Sequence, residues 1–246
     1  MNLPSINFSD LSPLKLPLDY PRIQRVQSFQ ELVSTPFNGG VNALCWERSL
    51  PGDFGEVVER LGAGEGVVAL EAFQLRSLPV SAAGRVAIEQ LLADLELLRT
   101  HDLAPVLNCI HGYPRDEQQG PVATDVFSFH ADSAPVEADT WLCTYHGAPS
   151  EGVRNEEAQR RVDVPSTRAE LLRLYGGSDD EGFREFLSEN CYDLHYVAGP
   201  QARPFSFGVG HLWRIALAWP GSPVPPCIHR APERLPDQPP RLLLIS

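Results

Sequence analysis

The spacing of apolar residues divides this chain into a helical first part and a strand-rich second part. A helix is predicted behind Pro51, where four apolar residues recur at helical spacing: Phe54, Val57, Val58 and Leu61. A longer helix begins at Ser81, a residue type favoured at helix N-termini, and runs to about Thr100. Six apolar side chains form a broad face on it: Val86, Ile88, Leu91, Leu92, Leu95 and Leu98.

The rest of the first 105 residues predicts short strands and an extended arm. The apolar runs at 41–46 and 66–70 are typical of strands. Four closely spaced prolines exclude a helix from about the first 25 residues and favour an arm laid over the body: Pro4, Pro13, Pro17 and Pro21. We therefore expect residues 1–105 to form this arm and an α+β support packed on the rest of the chain.

Beyond residue 105, short apolar runs alternate with Gly, Pro and acidic turns. The runs are APVLNCI, VFSFHAD, DTWLCTYHG, YDLHYVA, FSFGVGHLWRIALAW, PPCIH and RLLLI. Such a series favours a β-sandwich or jelly roll over alternating βαβ units. A helical insertion is predicted at about 165–190, where Ser178 and Glu181 have the spacing of a capping box. We predict an α+β chain with a jelly-roll core at 106–246.

Composition narrows the classes of function. A net charge of −12 opposes binding to a nucleic-acid backbone, which requires clustered cations. No run reaches the roughly 18 to 20 apolar residues that span a bilayer, and the start, MNLPSINFSD, lacks the features of a signal peptide. The five cysteines form no C-x-x-C pair and are typical of buried apolar residues in a reducing compartment. We expect a cytoplasmic protein without a membrane partner.

Two residues of the run VFSFHAD are spaced as neighbouring metal ligands. His130 and Asp132 lie two positions apart, so on a strand both side chains leave the same face. His229, at the end of PPCIH, is the candidate third ligand, because jelly-roll folding brings early and late strands together. Two histidines and one carboxylate form the facial triad of an iron site, with positions left open for a cosubstrate and dioxygen. The alternative is a strand-end histidine beside a turn-capping aspartate.

Arg241 completes this set of candidates. It opens the last predicted strand, where alternation gives it the same facing as Leu243 and Ile245. A guanidinium that points into a mainly apolar barrel needs an anion, and its planar fork suits a carboxylate. We therefore assign Arg241 to the distal carboxylate of 2-oxoglutarate.

The order H-x-D, long insertion, H and then R on the final strand resembles the Fe(II)/2-oxoglutarate-dependent dioxygenases, whose double-stranded β-helix is a cupin-like jelly roll. Two segments, FHADSAPVEADTWLCTYHG and GVGHLWRIALAWPG…IHRAPERLPDQPPRLLLIS, are similar to an uncharacterised bacterial family with the motifs F-H-x-D, C-T-Y-x-G, H-R-x-P and R-L-L-L. This similarity covers roughly residues 39 to 246. One departure follows Gly147, where the family usually continues Gly-Thr-Glu-Trp and this chain has Ala-Pro-Ser-Glu-Gly.

The resemblance implies a ferrous ion held by His130, Asp132 and His229, with 2-oxoglutarate bound to it and to Arg241. The implied activity couples decarboxylation of 2-oxoglutarate to oxidation by dioxygen, most commonly hydroxylation, of a small molecule or a peptide side chain. Two other functions stay open. One is a cupin-type metalloenzyme that does not use 2-oxoglutarate, and the other is a non-catalytic metal-binding or interaction protein.

Four more side chains are candidate contacts of the cosubstrate. Related oxygenases often place a polar contact before the H-x-D strand, where this chain has Asn108 and Tyr113. For Tyr113 the alternative is an ordinary turn with the proline that follows it. Tyr145 and Thr144, on the strand after the H-x-D pair, are the other two candidates, with core packing as the alternative for the tyrosine.

Overall fold

Twelve strands and six helices make up the part of the chain that the computed structural model describes, residues 15–115, 120–233 and 238–246. The helices are α1 (Phe29–Ser34), α2 (Phe54–Leu61), α3 (Ala72–Ser77), α4 (Ala82–Arg99), α5 (Pro165–Tyr175) and α6 (Glu181–Glu189). The strands are β1 (Ile23–Val26), β2 (Ala43–Trp46), β3 (Val67–Ala69), β4 (Val106–Ile110), β5 (Asp139–His146), β6 (Glu151–Gly152), β7 (Ala158–Arg160), β8 (Tyr196–Ala198), β9 (Phe205–Ser206), β10 (Leu212–Ala216), β11 (His229–Arg230) and β12 (Arg241–Ile245).

Seven strands form one large sheet in the order β1-β2-β10-β5-β12-β4-β3. Its pairs are antiparallel except for the parallel pair of β1 and β2. The predicted α+β class is therefore confirmed. The segments 1–105 and 106–246 are less separate than predicted, because β1, β2 and β3 are hydrogen-bonded into the same sheet as strands of the second segment.

Side chains alternate along these strands and give the large sheet two apolar faces. One face packs against α1 to α4, in a core that includes Leu44, Leu107, Trp141, Cys143, Tyr145, Leu212 and Leu242 of the sheet. The opposite face contributes Ala43, Cys45, Ile110, Leu142, Trp213, Ile215 and Leu243 to a second core, shared with Phe205 of β9. We call these the helix side and the inner side. The inner side carries the candidate site.

A small sheet, in the order β11-β6-β9, covers part of the inner side. The segment around His130 extends this sheet, because His130 and His229 exchange both backbone hydrogen bonds, each with an N···O distance of 2.9 Å. His130 also bridges His195 on its other flank. The run VFSFHAD thus adds isolated bridges to the small sheet and does not form the regular strand that was predicted.

Helix α4 begins and ends as predicted. Its N-cap is Ser81, whose hydroxyl accepts a hydrogen bond from the N–H of Gly84, and its C-cap is Thr100. The prediction that Val86 belongs to its apolar face is wrong, because this side chain is exposed to solvent. The predicted helix behind Pro51 is also confirmed, as α2.

Helices α5 and α6 form the predicted insertion, but α6 begins differently. The carboxylate of Asp180 accepts a hydrogen bond from the N–H of Phe183 at 3.3 Å. Asp180 directly precedes the first helical residue, Glu181, and an aspartate is as favourable an N-cap as a serine. The capping box predicted for Ser178 and Glu181 is therefore wrong.

Three other predictions concern the arm, the cysteines and the membrane. Residues 15–22 contain no helix or strand, whereas the rest of the predicted arm, with Pro4 and Pro13, lies outside the described residues. Four cysteines are buried as predicted, and Cys191 is exposed. Within the described ranges, no helix is both long enough and apolar enough to cross a membrane.

A buried ion pair joins α4 to the helix side of the sheet. Arg48 donates two hydrogen bonds to the carboxylate of Asp94, at 2.9 and 2.8 Å, and the hydroxyl of Tyr145 donates a third at 2.7 Å. Gln90 donates a fourth, at 3.1 Å. The Arg48 guanidinium also donates to the carbonyl of Gly210, in the loop before β10. Through Arg48 and Tyr145, the Asp94 carboxylate therefore connects α4 to this loop and to β5.

Candidate metal centre

His130, Asp132 and His229 meet at one point on the inner side of the molecule. Their ligand atoms all lie within 4.8 Å of one another, and among the described residues they are the one group of three that could hold a metal ion. Nε2 of His130 is 3.9 Å from Oδ1 of Asp132, and Nε2 of His229 is 3.8 Å from its Oδ2. The three predicted ligands are therefore close enough together to bind one ion.

Backbone pairing and one side-chain hydrogen bond bring these groups together. His130 and His229 are directly opposite each other in a hydrogen-bonded pair, so both imidazoles leave the same face. The hydroxyl of Thr140 on β5 donates to Oδ2 of Asp132 at 2.6 Å. The backbone carbonyl of Asp132 accepts a hydrogen bond from the N–H of Ala218 at 2.8 Å. Both the side chain and the backbone of Asp132 are therefore held in place.

The hydrogen bonds of both histidines favour the tautomer that leaves Nε2 free to bind a metal. Nδ1 of His130 donates to the carbonyl of Ser128 at 2.8 Å, and Nδ1 of His229 donates to the carbonyl of Cys227 at 3.4 Å. With the proton assigned to Nδ1 by these carbonyl acceptors, the lone pair is on Nε2, the atom that faces Asp132. Such hydrogen bonds orient the ring of a metal-binding histidine and raise its basicity.

The charges of the cluster also suit a divalent cation. Burial, and then the neighbouring His229, lower the pKa of His130 to about 4, so its imidazole is neutral at pH 7. Burial raises the pKa of Asp132, but His229, the hydrogen bond from Thr140 and His130 outweigh it and hold that pKa below its ordinary value. A neutral imidazole and an ionised carboxylate are the forms that bind metal ions.

Arg241 is a buried cation on the inner side, and its side-chain partners among the described residues are all hydroxyls. Its guanidinium donates to Tyr113 at 3.3 Å, to Thr144 at 3.5 Å and to Ser150 at 3.0 Å. Its Nε is buried and donates to no atom of the described residues. No carboxylate of those residues lies within 4 Å, and burial lowers the pKa of Arg241. Burial of a charge is costly unless an opposite charge or strong hydrogen bonds compensate, so this arrangement suits an anion.

The other predicted contacts divide between the two faces of the large sheet. Asn108 is half-buried on the inner side, opposite Leu243, and Tyr113 contacts Arg241 directly. Tyr145 was predicted as a cosubstrate contact, and this is wrong: it lies in the helix-side core and donates to Asp94. Its neighbour on β5, Thr144, is the residue whose side chain reaches the inner side.

Ser150 is a site residue that the sequence reasoning missed. Its hydroxyl has the shortest hydrogen bond to Arg241. This position stood out in the sequence only as part of the departure after Gly147.

Asn42 supports the segment that leads to His229. It is buried, and its amide donates to the carbonyls of Pro225 and Pro226, each at 3.1 Å, and to Oδ1 of Asn155 at 3.0 Å. Asn155 in turn donates to the carbonyl of Pro226 at 2.9 Å. These bonds hold the chain three residues before the metal ligand.

We expect Asn42→Ala to lower the free energy of unfolding by about 1 to 3 kcal/mol, because it removes the hydrogen bonds that this buried amide donates to Asn155 and to the carbonyls of Pro225 and Pro226. Urea denaturation measures the change. Asn38→Ala is the matched control, since the Asn38 side chain is exposed and should change stability by less than about 0.5 kcal/mol. Equal effects of the two substitutions would contradict the role of the buried amide.

In comparisons with known proteins, no protein-family model, no curated protein and no solved structure matches this chain. Any conclusion about function therefore depends on the geometry of the site.

Proposed function

We propose that this protein is an Fe(II)/2-oxoglutarate-dependent oxygenase that hydroxylates a small molecule or a peptide side chain. The observation that carries the proposal is Arg241, a buried guanidinium without a carboxylate partner among the described residues, on the same inner side as a His-Asp-His cluster. A group of three metal-binding side chains alone is compatible with many activities. An anion site beside it fits a dicarboxylate that binds the metal at one end and the arginine at the other.

The three ligands fit a ferrous ion. Two imidazoles and one carboxylate would leave coordination positions of a ferrous ion free, as oxygenase chemistry requires. In the proposed roles, His130, Asp132 and His229 hold the ion, and Thr140 keeps the carboxylate in place. Bound iron would supply the activation of dioxygen, with 2-oxoglutarate, dioxygen and R–H giving succinate, carbon dioxide and R–OH.

Arg241 would orient the cosubstrate. Its hydroxyl neighbours Thr144 and Ser150 lie where they can donate to the same carboxylate. Thr140, at the metal cluster, and Thr144, at Arg241, are four residues apart on β5, which corresponds to about 13 Å along a strand. A cosubstrate bound at both places would therefore lie along β5 on the inner side.

The strand order supports a double-stranded β-helix. From β4 onward, the His130 segment, β6, β9 and β11 lie in the small sheet, and β4, β5, β10 and β12 lie in the large one. Apart from β7 and β8, which form a separate two-stranded sheet, successive strands therefore alternate between the large and the small sheet, except for β6 and β9, which pair within the small one. Eight strand segments in two sheets are what a jelly roll requires. The cytoplasmic location stays a prediction.

Anaerobic titration of the Fe(II)-loaded protein with 2-oxoglutarate tests the proposal. We expect Arg241→Met to weaken 2-oxoglutarate binding by about 10- to 100-fold, the value of a charge-assisted bidentate contact, and to leave Fe(II) affinity unchanged. Without the cosubstrate, this variant should be as stable as the wild type or more stable, because a buried unpaired charge is removed. Calorimetry and thermal unfolding measure these effects.

The matched control is Arg230→Met. Arg230 is next to His229 but pairs with Glu151 at 2.7 Å, so its loss should leave 2-oxoglutarate binding unchanged. If Arg241→Met binds 2-oxoglutarate as tightly as the wild type, the cosubstrate assignment fails. Iron binding without 2-oxoglutarate binding would instead favour a cupin-type metalloenzyme, and binding of both without oxidation of any substrate would favour a non-catalytic protein.

A further inference from the structure

Arg161 lies in one row with the two metal-binding histidines. Its backbone N–H donates to the carbonyl of His195 at 2.8 Å, which extends the register of β7 with β8 by one residue. His195 pairs with His130 on its other side, and His130 pairs with His229. Residues directly opposite each other in neighbouring strands project to the same side of a sheet. We call these four residues the site row.

The residues next to the site row in sequence face away from it. Phe129, Ile228 and Tyr196 each adjoin one of the three histidines, and they pack together in a separate apolar cluster. Arg160 pairs with Tyr196 and therefore faces this cluster too. Because successive residues of a strand project to opposite sides, Arg161 and the three histidines face the inner side.

Arg161 is half-buried, and its side chain has no counter-charge among the described residues. Its Nε is buried and donates to no atom of these residues, and none of their carboxylates lies within 4 Å of the guanidinium. Arg160, by contrast, donates to both carboxylate oxygens of Asp163, at 2.9 and 3.2 Å. A buried donor without an acceptor is costly, so the Arg161 side chain is suited to bind an anionic group.

The site row also sets the distance between Arg161 and the metal centre. Neighbouring strands are about 4.8 Å apart, so two strand spacings separate the backbones of Arg161 and His130 by about 10 Å. His195 occupies the intervening position, and its ring centroid is 5.7 Å from that of His130. A molecule that contacts both Arg161 and the metal centre therefore lies along the row and spans a distance of this order, which fits a small organic acid.

We infer that Arg161 binds a carboxylate of the substrate and directs the carbon to be oxidised toward the metal centre. The inference rests on the proposed function, because it uses the His-Asp-His cluster as the reacting end of the site. A single guanidinium balances one negative charge, which favours a carboxylate over a phosphate monoester with its charge of about −1.5 to −2. In a chain of net charge −12, an anionic substrate also needs such a cation to attract it.

Paramagnetic relaxation tests this placement, with 4-methylbenzoate as the probe and Mn(II) with saturating 2-oxoglutarate at the metal centre. Bound Mn(II) should speed relaxation of the methyl protons of the probe in the wild type. In Arg161→Met the effect should fall at least about tenfold, because a charge-assisted hydrogen bond to the carboxylate is lost. Arg161→Lys, which keeps the charge, should retain part of the effect.

Two matched controls accompany this measurement. Arg160→Met removes an equal charge one residue away, on the opposite face of the strand, and should leave the relaxation of 4-methylbenzoate unchanged. The uncharged analogue 4-methylbenzamide should show a weaker effect in the wild type, and Arg161→Met should not change it. Calorimetry should give the same affinities for Mn(II) and 2-oxoglutarate in Arg161→Met as in the wild type.

The outcomes separate this inference from the proposed function. Loss of the effect in Arg161→Met, and not in Arg160→Met, supports the inference. If Mn(II) binds but the acid relaxes equally in all three proteins, or no faster than the amide, Arg161 does not hold a substrate carboxylate, and the oxygenase proposal survives. If Mn(II) does not bind, or binds equally to His130→Ala, both fall. Weaker 2-oxoglutarate binding in Arg161→Met but not in Arg241→Met would assign Arg161 to the cosubstrate and overturn the inference.

Discussion

Replacement of His130 by alanine is expected to weaken metal binding by more than about 100-fold, beyond the range for loss of a group that only orients a ligand. The variant removes one of three donors and leaves His229 and Asp132 to hold the ion alone. The backbone of residue 130 keeps both hydrogen bonds to His229, so the small sheet should persist. Titration with Co(II), followed by visible absorption, measures the affinity and reports the coordination geometry.

His101→Ala is the matched control for this experiment. His101 is half-buried on the helix side, edge-on to the ring of Phe29 at 4.9 Å, and belongs to no ligand group among the described residues. Its loss should leave Co(II) affinity unchanged. If His130→Ala binds Co(II) as the wild type does, the assignment of the metal centre is wrong, and the oxygenase proposal fails with it.

The largest effect on stability is expected for Asp94→Ala, which should lower the free energy of unfolding by about 3 to 5 kcal/mol. The Arg48 and Asp94 side chains are only 7% and 3% exposed, so the variant leaves a buried guanidinium without its counter-charge. Tyr145 and Gln90 lose an acceptor at the same time. Chemical denaturation measures the change.

Two further variants show whether the buried charge is the cause. Glu96→Ala, at an exposed position of the same helix, should change stability by less than about 0.5 kcal/mol. In Arg48→Met/Asp94→Leu both charges are removed, and most of the lost stability should return, since a buried ion pair can often be exchanged for apolar residues. A double variant no more stable than Asp94→Ala would show that the hydrogen bonds of Arg48 to the loop matter more than its charge.

Helices were the most predictable part of this fold. Their signals are local: an N-cap such as Ser81 and apolar residues at helical spacing led to the correct bounds of α4. The wrong N-cap predicted for α6 also has a local cause. Asp180 and Ser178 are both favourable N-cap residues two positions apart, and the sequence pattern does not show which of them begins the helix.

The face of β5 could not be predicted. Its six central residues are all buried, in the sequence TWLCTY, so no alternation of polar and apolar residues shows which side chains face the site. Tyr145 and Thr144, which face opposite sides, were therefore both candidates for the site, whereas the register places Thr140 and Thr144 there. A shift of one position moves every side chain to the opposite face.

By itself, the sequence determined four of the six described helices, the α+β class and the three ligands that converge at the candidate metal centre, whereas α1 and α3 were not predicted. These depend on local periodicity and on residue chemistry: two residues spaced two apart on an extended segment share a face wherever that segment lies. Only the tertiary structure decided that His229 pairs with His130, that Tyr145 faces the helices, and that no carboxylate of the described residues neutralises Arg241. These features depend on register and burial, which long-range contacts set and local spacing does not encode.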